Sequence, residues 1–111
     1  MSTLPFEIAP LQAKQKLDAG EAALIDVREP REYDVARIAG AELIPMAAVP
    51  AQLQHLEALA DAKLLIVHCH HGVRSLNVVN WLRRQGVDNC VSMSGGIESW
   101  SVQVDAKVPR Y

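Results

Sequence analysis

The chain has 111 residues, of which 50% are apolar and 22% charged, and its formal net charge is −2. This length predicts one domain over residues 1–111, with enough apolar residues for a core. The mixed charges lack the basic excess of nucleic-acid binders, and no run approaches the roughly 18 apolar residues that span a membrane. "MSTLPFEIAP" shows no secretory signal. With only Cys69 and Cys90 as thiols, we expect a cytoplasmic protein without disulfides.

Strand and helix patterns alternate from the N-terminus onward. In chain order they predict a strand at 6–8, a helix at 10–20, a strand at 24–28, a short helix at 29–36, a strand at 41–45, a helix at 49–60, a strand at 64–68, a helix at 75–86, a strand at 89–93 and a final helix at 95–100. Such alternation indicates an α/β fold, an open, mostly parallel five-stranded sheet with helices on both faces. The run "LLIVH" at 64–68 is apolar without alternation, which is typical of a strand covered on both faces.

Two of the predicted helices have a clear apolar face. Residues at spacings of three and four define these faces. The residues are Val49, Leu53, Leu56 and Ala60 in the helix predicted at 49–60, and Leu76, Val79 and Leu82 in the helix predicted at 75–86. The second helix closes with "RRQG" at 83–86, whose arginines are expected to be solvated at the helix end, where cations suit the helix dipole.

Polar and glycine residues follow three of the predicted strands. Asp26 and Arg28 lie at the end of one strand, Cys69 follows another, and Ser94 to Gly96 follow the last. In open α/β sheets, ligands bind outside the carboxyl ends of the strands. This edge of the sheet is therefore the predicted site.

The stretch "HCHHGVRS" at 68–75 carries the strongest chemical signal. If residues 69–74 turn into a helix near Ser75, backbone amides and the helix dipole converge on one point. Such a field favours a thiolate, so Cys69 is predicted to be a nucleophile. Gly72 permits the tight turn, and Arg74 adds a charged fork for an anion. The C-x4-R spacing is one residue shorter than the C-x5-R loop of cysteine phosphatases, which favours a single sulfur atom over a phosphate.

Other readings of these cysteines and histidines stay open at this point. Cys69 is also compatible with a buried structural thiol. A metal site would draw on His68, Cys69, His70 and His71, although adjacent residues of an extended chain point to opposite faces. Cys90 lies inside the last predicted strand and is expected in the core, with a resolving thiol as the alternative.

Three blocks of the sequence resemble the rhodanese family. "CHHGVR" followed by Ser75 resembles its C-x-x-G-x-R-S loop, "LIDVREPREYDVARIAGAELIPM" its first block and "SGGIESW" its closing block; the tail "VPRY" also occurs in single-domain members. Two positions depart from the pattern. Ala36-Arg37-Ile38 lacks the usual histidine before the isoleucine, and Leu43 stands where asparagine is frequent. Arg37 is expected to be a surface residue.

The resemblance implies a sulfurtransferase of rhodanese-like fold that needs no cofactor and no metal. Cys69 would take the outer sulfur of a donor such as thiosulfate as a persulfide, and a thiol or cyanide would accept it. Donor binding would fall to the loop residues, which are His70, His71, Gly72, Val73, Arg74 and Ser75. Asp26, paired with Arg28, would support the loop. The alternatives are a persulfide carrier that delivers sulfur to a protein partner, and a phosphatase or arsenate reductase of related fold.

Overall fold

A computed structural model describes residues 4–111; the first three residues of the predicted domain lie outside this range. Five parallel strands form one sheet in the order β1-β5-β4-β2-β3. The strands are β1 Glu7–Ile8, β2 Ala22–Asp26, β3 Glu42–Leu43, β4 Leu64–His68 and β5 Cys90–Met93. The helices are α1 Pro10–Asp18, α2 Pro30–Val35, α3 Leu53–Ala62, α4 Val73–Arg84 and α5 Gly96–Gln103. The predicted α/β class and strand number are confirmed, and the sheet is entirely parallel.

Helices cover both faces of the sheet. Leu65 and Val67 of β4 belong to the core that includes residues of α3 and α4, whereas Ile66 belongs to the core that includes residues of α1 and α5. Successive side chains of a strand point to opposite faces. This explains why β4 reads as an uninterrupted apolar run. Within the described range, no helix is long and apolar enough to cross a membrane.

The helix predicted at 49–60 begins later than its pattern suggests. Two short 3-10 turns, Met46–Ala48 and Pro50–Gln52, precede α3. Pro50 has no backbone N–H to donate, which favours a separate turn at this position over a continuous helix. Val49, Leu56 and Ala60 are nevertheless buried on the predicted face.

Helix α4 begins at Val73, two residues before the predicted start, and its buried face is shifted. The buried residues are Ser75, Val78, Val79 and Leu82, so the prediction that Leu76 lies on this face was wrong; Leu76 is only partly buried. The observed set keeps the spacing of three and four that one helix face requires. Because the helix starts early, Arg74 and Ser75 lie in its first turn.

The ends of β2 also differ from the prediction of 24–28. The strand starts at Ala22, and it ends at Asp26 because the carboxylate of Asp26 accepts the backbone N–H of Arg28 at 3.0 Å, which turns the chain. The other strands and helices overlap their predicted ranges, with α1 ending at Asp18 and α5 continuing to Gln103.

Arg83 is not a solvated helix end, as its sequence position suggested. Its guanidinium donates to the carbonyls of Pro5 and Cys90, both at 2.7 Å, and lies 4.2 Å from the ring centre of Phe6. The side chain therefore holds the N-terminal segment against the start of β5.

Candidate active site

The loop that follows β4 is closed by one glycine. Cys69 directly follows β4, and Gly72 caps α4 with a φ of 105°. A Cβ at this position would lie 3.2 Å from the amide nitrogen of Gly95, on the neighbouring loop. Gly72 thus meets both a positive φ and a close approach of backbone, and it allows α4 to begin within four residues of the cysteine.

The sulfur of Cys69 lies at the base of this loop. Its Sγ accepts the backbone N–H of Gly72 at 3.1 Å and that of Ser75 at 3.4 Å, and it lies 3.4 Å from the Ser75 hydroxyl. These donors belong to the start of α4, so they aim partial positive charge at the sulfur. Cys69 is only 1% exposed, so a reactant has to reach down into the loop.

Helix α5 holds the loop from the other side. The amide of Ile97 donates to the carbonyl of Cys69 at 2.9 Å, and the amide of Glu98 donates to the carbonyl of His70 at 3.2 Å. Gly96 makes this approach feasible, because a Cβ there would lie 2.5 Å from the carbonyl oxygen of Cys69. Residues 94–96, which the sequence placed at this edge of the sheet, therefore form a surface that packs against the Cys69 loop.

Asp26 and Arg28 form a fully buried ion pair at the end of β2. The Nη2 of Arg28 lies 2.7 Å from Oδ2 of Asp26, and its Nε lies 2.9 Å from Oδ1. Arg28 also donates to the carbonyl of Ala36 and to the hydroxyl of Tyr111, at 2.7 and 2.8 Å. Hydrogen bonds of this kind are what a buried charge pair requires.

His68 lies beside this pair and next in sequence to the cysteine. Its Nε2 lies 3.7 Å from Oδ2 of Asp26 and has no hydrogen-bond partner among the described residues. Burial lowers the pKa of His68 to about 4, so the ring is neutral at pH 7. Its Nδ1 lies 3.4 Å from the carbonyl oxygen of Cys69, which can accept its N–H. The neutral, enclosed ring is therefore a structural neighbour of Cys69.

Arg74 does not extend freely into the site. Its two terminal nitrogens donate to the carboxylate of Glu32, at 2.7 and 3.0 Å. The hydroxyl of Tyr111 donates to the same carboxylate at 2.7 Å. The hydrogen bonds from Arg74 lower the pKa of Glu32 to about 2, while burial raises that of Tyr111 to about 12. The phenol is therefore neutral and the carboxylate ionised at neutral pH.

Glu32 and Tyr111 are site residues to which the sequence assigned no role. Both occur in the family blocks quoted above, which was the available signal. Glu32 contacts Arg74, which is 42 positions away in the chain, and Tyr111 contacts Glu32, which is 79 positions away. Spacing along the chain carries no information on such contacts.

Three aromatic rings stack at the outer side of the loop. The His70 ring lies 4.0 Å from that of His71 and 3.9 Å from that of Tyr111, centre to centre. Burial lowers the pKa of His70, which favours the neutral form of this ring. Val73, by contrast, is 70% exposed on the first turn of α4, and Arg37 is exposed and lies 4.8 Å from the ring centre of Tyr33.

Two of the alternative roles for the cysteines and histidines lack geometric support. In residues 4–111, no group of three His, Cys, Asp or Glu side chains is placed to hold a metal ion. Cys90 pairs with Leu65 at the start of β4, four residue steps before Cys69, or roughly 13 Å at about 3.3 Å per residue. A disulfide needs Cα atoms within about 7 Å, so Cys90 cannot resolve Cys69 in this fold.

One cavity among the described residues lies away from this loop. A cavity of about 570 Å³ opens at the amino ends of the strands, beside Ala22, Gly40 and Lys63. The loop of Cys69 lies at the opposite, carboxyl edge of the sheet. This cavity is therefore separate from the Cys69 loop.

A parallel α/β sheet defines the class of this protein, together with a buried cysteine at its carboxyl edge and two backbone amides from the start of α4 directed at the sulfur. A family model described as Rhodanese-like domain matches residues 9–103. The chain belongs to the rhodanese-like domain family.

Relatives of this chain differ widely in length. It is 37% identical over 92 residues to the Rhodanese-like/PpiC domain-containing protein 12 of Arabidopsis thaliana, covering 82% of this chain but 31% of the relative. It is 30% identical over 99 residues to the thiosulfate sulfurtransferase GlpE of Pseudoalteromonas translucida, covering 89% and 91%. The solved structure of human single-domain sulfurtransferase TSTD1 superimposes with a TM-score of 0.78 at 26% identity, covering 90% and 98%. The chain thus spans less than a third of the first relative and nearly all of the other two.

Proposed function

We propose that the protein is a sulfurtransferase that moves a sulfane sulfur through a persulfide on Cys69. The observation that carries the proposal is the pair of backbone amides, from Gly72 and Ser75, that point at the Cys69 sulfur. The relatives named as sulfurtransferases support this chemistry in general. Both thiols are free, which fits a reducing, cytoplasmic location.

In the first step, the Cys69 thiolate attacks the outer sulfur of the donor. With thiosulfate, a bond forms between the two sulfurs, the donor's S–S bond breaks, and sulfite leaves with the electron pair of that bond. In the second step, a thiol or cyanide attacks the outer sulfur of the persulfide and restores the thiolate. The amides of Gly72 and Ser75 stabilise negative charge at the base of the loop in both steps.

The other loop residues have supporting roles in this proposal. His70 and His71 border the mouth, and Asp26 with Arg28 fixes the end of the neighbouring strand. Arg74 gives two of its five guanidinium N–H groups to Glu32, so a donor oxyanion has to share this arginine with the carboxylate. A phosphatase or arsenate reductase is disfavoured, because the shorter loop brings its amides onto the sulfur itself; the absence of p-nitrophenyl phosphate hydrolysis would be expected.

Mass spectrometry of the protein after incubation with thiosulfate tests the proposal. We expect one added sulfur, about 32 Da by general chemistry, on the peptide that contains Cys69 and none on that of Cys90. The variant C69S should gain no sulfur, because a hydroxyl leaves almost no anion at neutral pH. The matched variant C90S should gain as much as the wild type. Persulfide on C69S, or none on the wild type with any sulfane donor, would overturn the proposal.

Delivery of the sulfur to a protein partner is the second candidate function. The observation that favours it is the position of Val73, 70% exposed on the first turn of α4 directly after the loop, where a partner that takes the sulfur would have to dock. Steady-state turnover with thiosulfate and cyanide separates the two. Slow turnover despite complete persulfide formation is expected of a carrier, and fast turnover of an enzyme acting on small molecules.

A further inference from the structure

A buried hydroxyl on β5 is connected to the cysteine through a second hydroxyl. Ser92 is fully buried, and it shares a face of the sheet with Cys90, which belongs to the core that includes residues of α3 and α4. The Oγ of Ser92 lies 2.8 Å from the Oγ of Ser75, which is fully buried as well. The Oγ of Ser75 lies 3.4 Å from the sulfur of Cys69. The three side chains therefore form one chain of hydrogen-bonding groups.

The direction of the hydrogen bond between the two serines follows from the partners that each of them has. Within residues 4–111, the hydroxyl of Ser75 is the one hydrogen-bond partner of the Ser92 hydroxyl. A buried O–H group without an acceptor is unfavourable, so the proton of Ser92 points at the oxygen of Ser75. A serine oxygen accepts through its lone pairs and keeps its own proton to donate. The Ser75 hydroxyl is thus left as a donor to another group.

Two acceptors lie within reach of the Ser75 proton. The carbonyl oxygen of Gly72 is 3.3 Å away, which is long for a hydrogen bond between two oxygens, and it already accepts the backbone N–H of Leu76 at 3.1 Å. The Cys69 sulfur is 3.4 Å away, and sulfur is the larger atom. Once it is ionised it is also the stronger acceptor, since charge-assisted hydrogen bonds are stronger than neutral ones. The hydroxyl then becomes a third donor to the thiolate, beside the amides of Gly72 and Ser75.

Building on the proposed function, we infer that Ser92 is a positioning residue that directs the Ser75 hydroxyl at the Cys69 sulfur. Ser92 touches no reactant and acts through Ser75. Its hydrogen bond also polarises the Ser75 hydroxyl, because hydrogen bonds in a chain strengthen one another. The Cys69 thiolate is the nucleophile of the first step and the leaving group of the second. The same donor therefore increases the fraction of thiolate before the first step and stabilises the charge that returns to the sulfur in the second.

The pH dependence of Cys69 alkylation by iodoacetamide tests this role without any sulfur donor. S92A removes the donor to Ser75, so we expect the midpoint of the profile to move up by about 0.5 to 1 unit, which lowers the rate below the midpoint about three- to tenfold. Well above both midpoints S92A should react as fast as the wild type or faster, since a more basic thiolate is the better nucleophile. An unchanged midpoint overturns the inference, as does an equal rate loss at every pH, which is the result expected of a displaced loop.

The titratable groups around the loop are the same in the wild type and in S92A. They are Asp26 on β2, Glu32 on α2, His68 on β4, His70 in the loop, Arg74 on α4 and Glu98 on α5. Serine and alanine are both uncharged, so the substitution leaves all of these charges in place. A shift of the midpoint in S92A therefore reports the lost hydroxyl.

A double-mutant cycle shows whether Ser92 acts through Ser75. S75A should raise the midpoint at least as far as S92A does, and the double variant should lie within about 0.3 unit of S75A. A full further shift in the double variant contradicts the inference. S101A is the matched control, because Ser101 is a buried serine whose hydroxyl donates to the carbonyl of Val108, at 2.6 Å, and not to the loop. A shift in S101A as large as that in S92A also overturns the inference.

Removal of sulfur from the persulfide gives a second readout, in which Cys69 is the leaving group. The wild type and S92A are loaded with thiosulfate and mixed with cyanide, whose carbon bonds to the outer sulfur while the electron pair of the S–S bond returns to Cys69. We expect S92A to lose its sulfur about twofold more slowly or worse, because a more basic thiolate is a poorer leaving group. Equal rates contradict the inference. No persulfide on the wild type overturns the proposed function alone, because the alkylation profile needs no sulfur donor.

The alkylation of Cys90 in the same samples shows whether S92A is folded. Cys90 is fully buried in β5, so it should stay unmodified in the wild type and in each serine variant. Rapid alkylation of Cys90 in S92A would assign the Ser92 hydroxyl to the stability of the fold and overturn its role at the thiolate.

Discussion

The guanidinium of Arg74 and the carboxylate of Glu32 form a two-point ion pair, at 2.7 and 3.0 Å, between the first turn of α4 and helix α2. The two residues are 42 positions apart in the chain. Their pairing fixes the side chain of Arg74, the last residue of the C-x-x-G-x-R motif. Arg74 is thereby oriented by the protein before any donor arrives. A bidentate arginine pair adds geometric specificity as well as energy.

Removal of Arg74 should weaken the binding of an anionic donor and lower the stability of the fold. In R74A the partly buried Glu32 loses its countercharge, so we expect the free energy of unfolding to fall by about 1 to 2 kcal/mol, a figure reduced for partial exposure. The apparent KM for thiosulfate should rise, because the site loses a cation and keeps the carboxylate of Glu32, which repels an anion. Urea denaturation and stopped-flow kinetics measure both effects. R110A, which breaks the exposed pair with Glu98, is the control; an unchanged KM for thiosulfate in R74A would show that Arg74 takes no part in donor binding.

The sequence predicted the parts of the site that are local in the chain. Cys69, Gly72 and Ser75 lie within one turn and helix start, so the amide cradle follows from spacing alone. Glu32 and Tyr111 could not be placed, because the contacts of Glu32 with Arg74 and of Tyr111 with Glu32 join distant parts of the chain. The start of α4 was missed for a local reason: the positive φ of Gly72 lets the helix begin at once.

In the fold, too, the features that depend on local sequence were predictable and those that depend on side-chain contacts were not. Apolar runs such as 64–68 and the alternation of strand and helix were enough to predict the parallel sheet with helices on both faces. The end of β2 was not predictable from apolar pattern, since it depends on a hydrogen bond from the amide of Arg28 to the side chain of Asp26. Arg83 was misread because its partners, the carbonyls of Pro5 and Cys90, come from other parts of the chain.

Gly96 should be needed for activity more than for folding. A Cβ at this position would lie 2.5 Å from the carbonyl oxygen of Cys69, so G96A has to push the cysteine loop away from α5. We expect persulfide formation to slow by about tenfold or more, since displacement of a reacting group by about 1 Å can have such effects. G86A is the matched control, because Gly86 also has a positive φ, 92°, but nothing lies within 4 Å of its Cβ position. Equal rate losses in the two variants would assign the effect to backbone strain alone.

His68 should make the protein less stable as the solution becomes moderately acidic. Its pKa is 6.5 when exposed and about 4 in the fold, because burial disfavours the charged ring. Between these values the unfolded chain binds a proton that the folded chain does not, so stability present above pH 6.5 is lost as the pH falls towards 4. The loss is on the order of 3 kcal/mol.

Urea denaturation at half-unit intervals from pH 7 to 4 measures this dependence. H68Q is expected to flatten it, whatever the stability of that variant at pH 7. H55Q is the control, since His55 is an exposed histidine that pairs with Glu42 on the surface, and its profile should follow the wild type. A slope that persists in H68Q would assign the acid sensitivity to another group.

Tyr111 should limit access to the cysteine. Its ring lies 3.9 Å from that of His70, next in sequence to Cys69, and its hydroxyl is held by Arg28 and Glu32. Stacking of this kind contributes about 0.5 to 1.5 kcal/mol, so its removal in Y111L should raise the rate of Cys69 alkylation by iodoacetamide about three- to tenfold. Y111F keeps the ring and should show a smaller increase.

Peptide mass spectrometry follows both cysteines in the same sample. Cys90 is fully buried in the sheet, so its alkylation reports global unfolding and should stay slow in every variant. Y33L is the matched control, because Tyr33 is an aromatic residue of α2 that stacks on Arg37 and not on the loop. Alkylation of Cys69 at the wild-type rate in Y111L, with Cys90 still protected, would show that the aromatic stack does not control entry. The sulfur would then be reached by a path that leaves His70 in place.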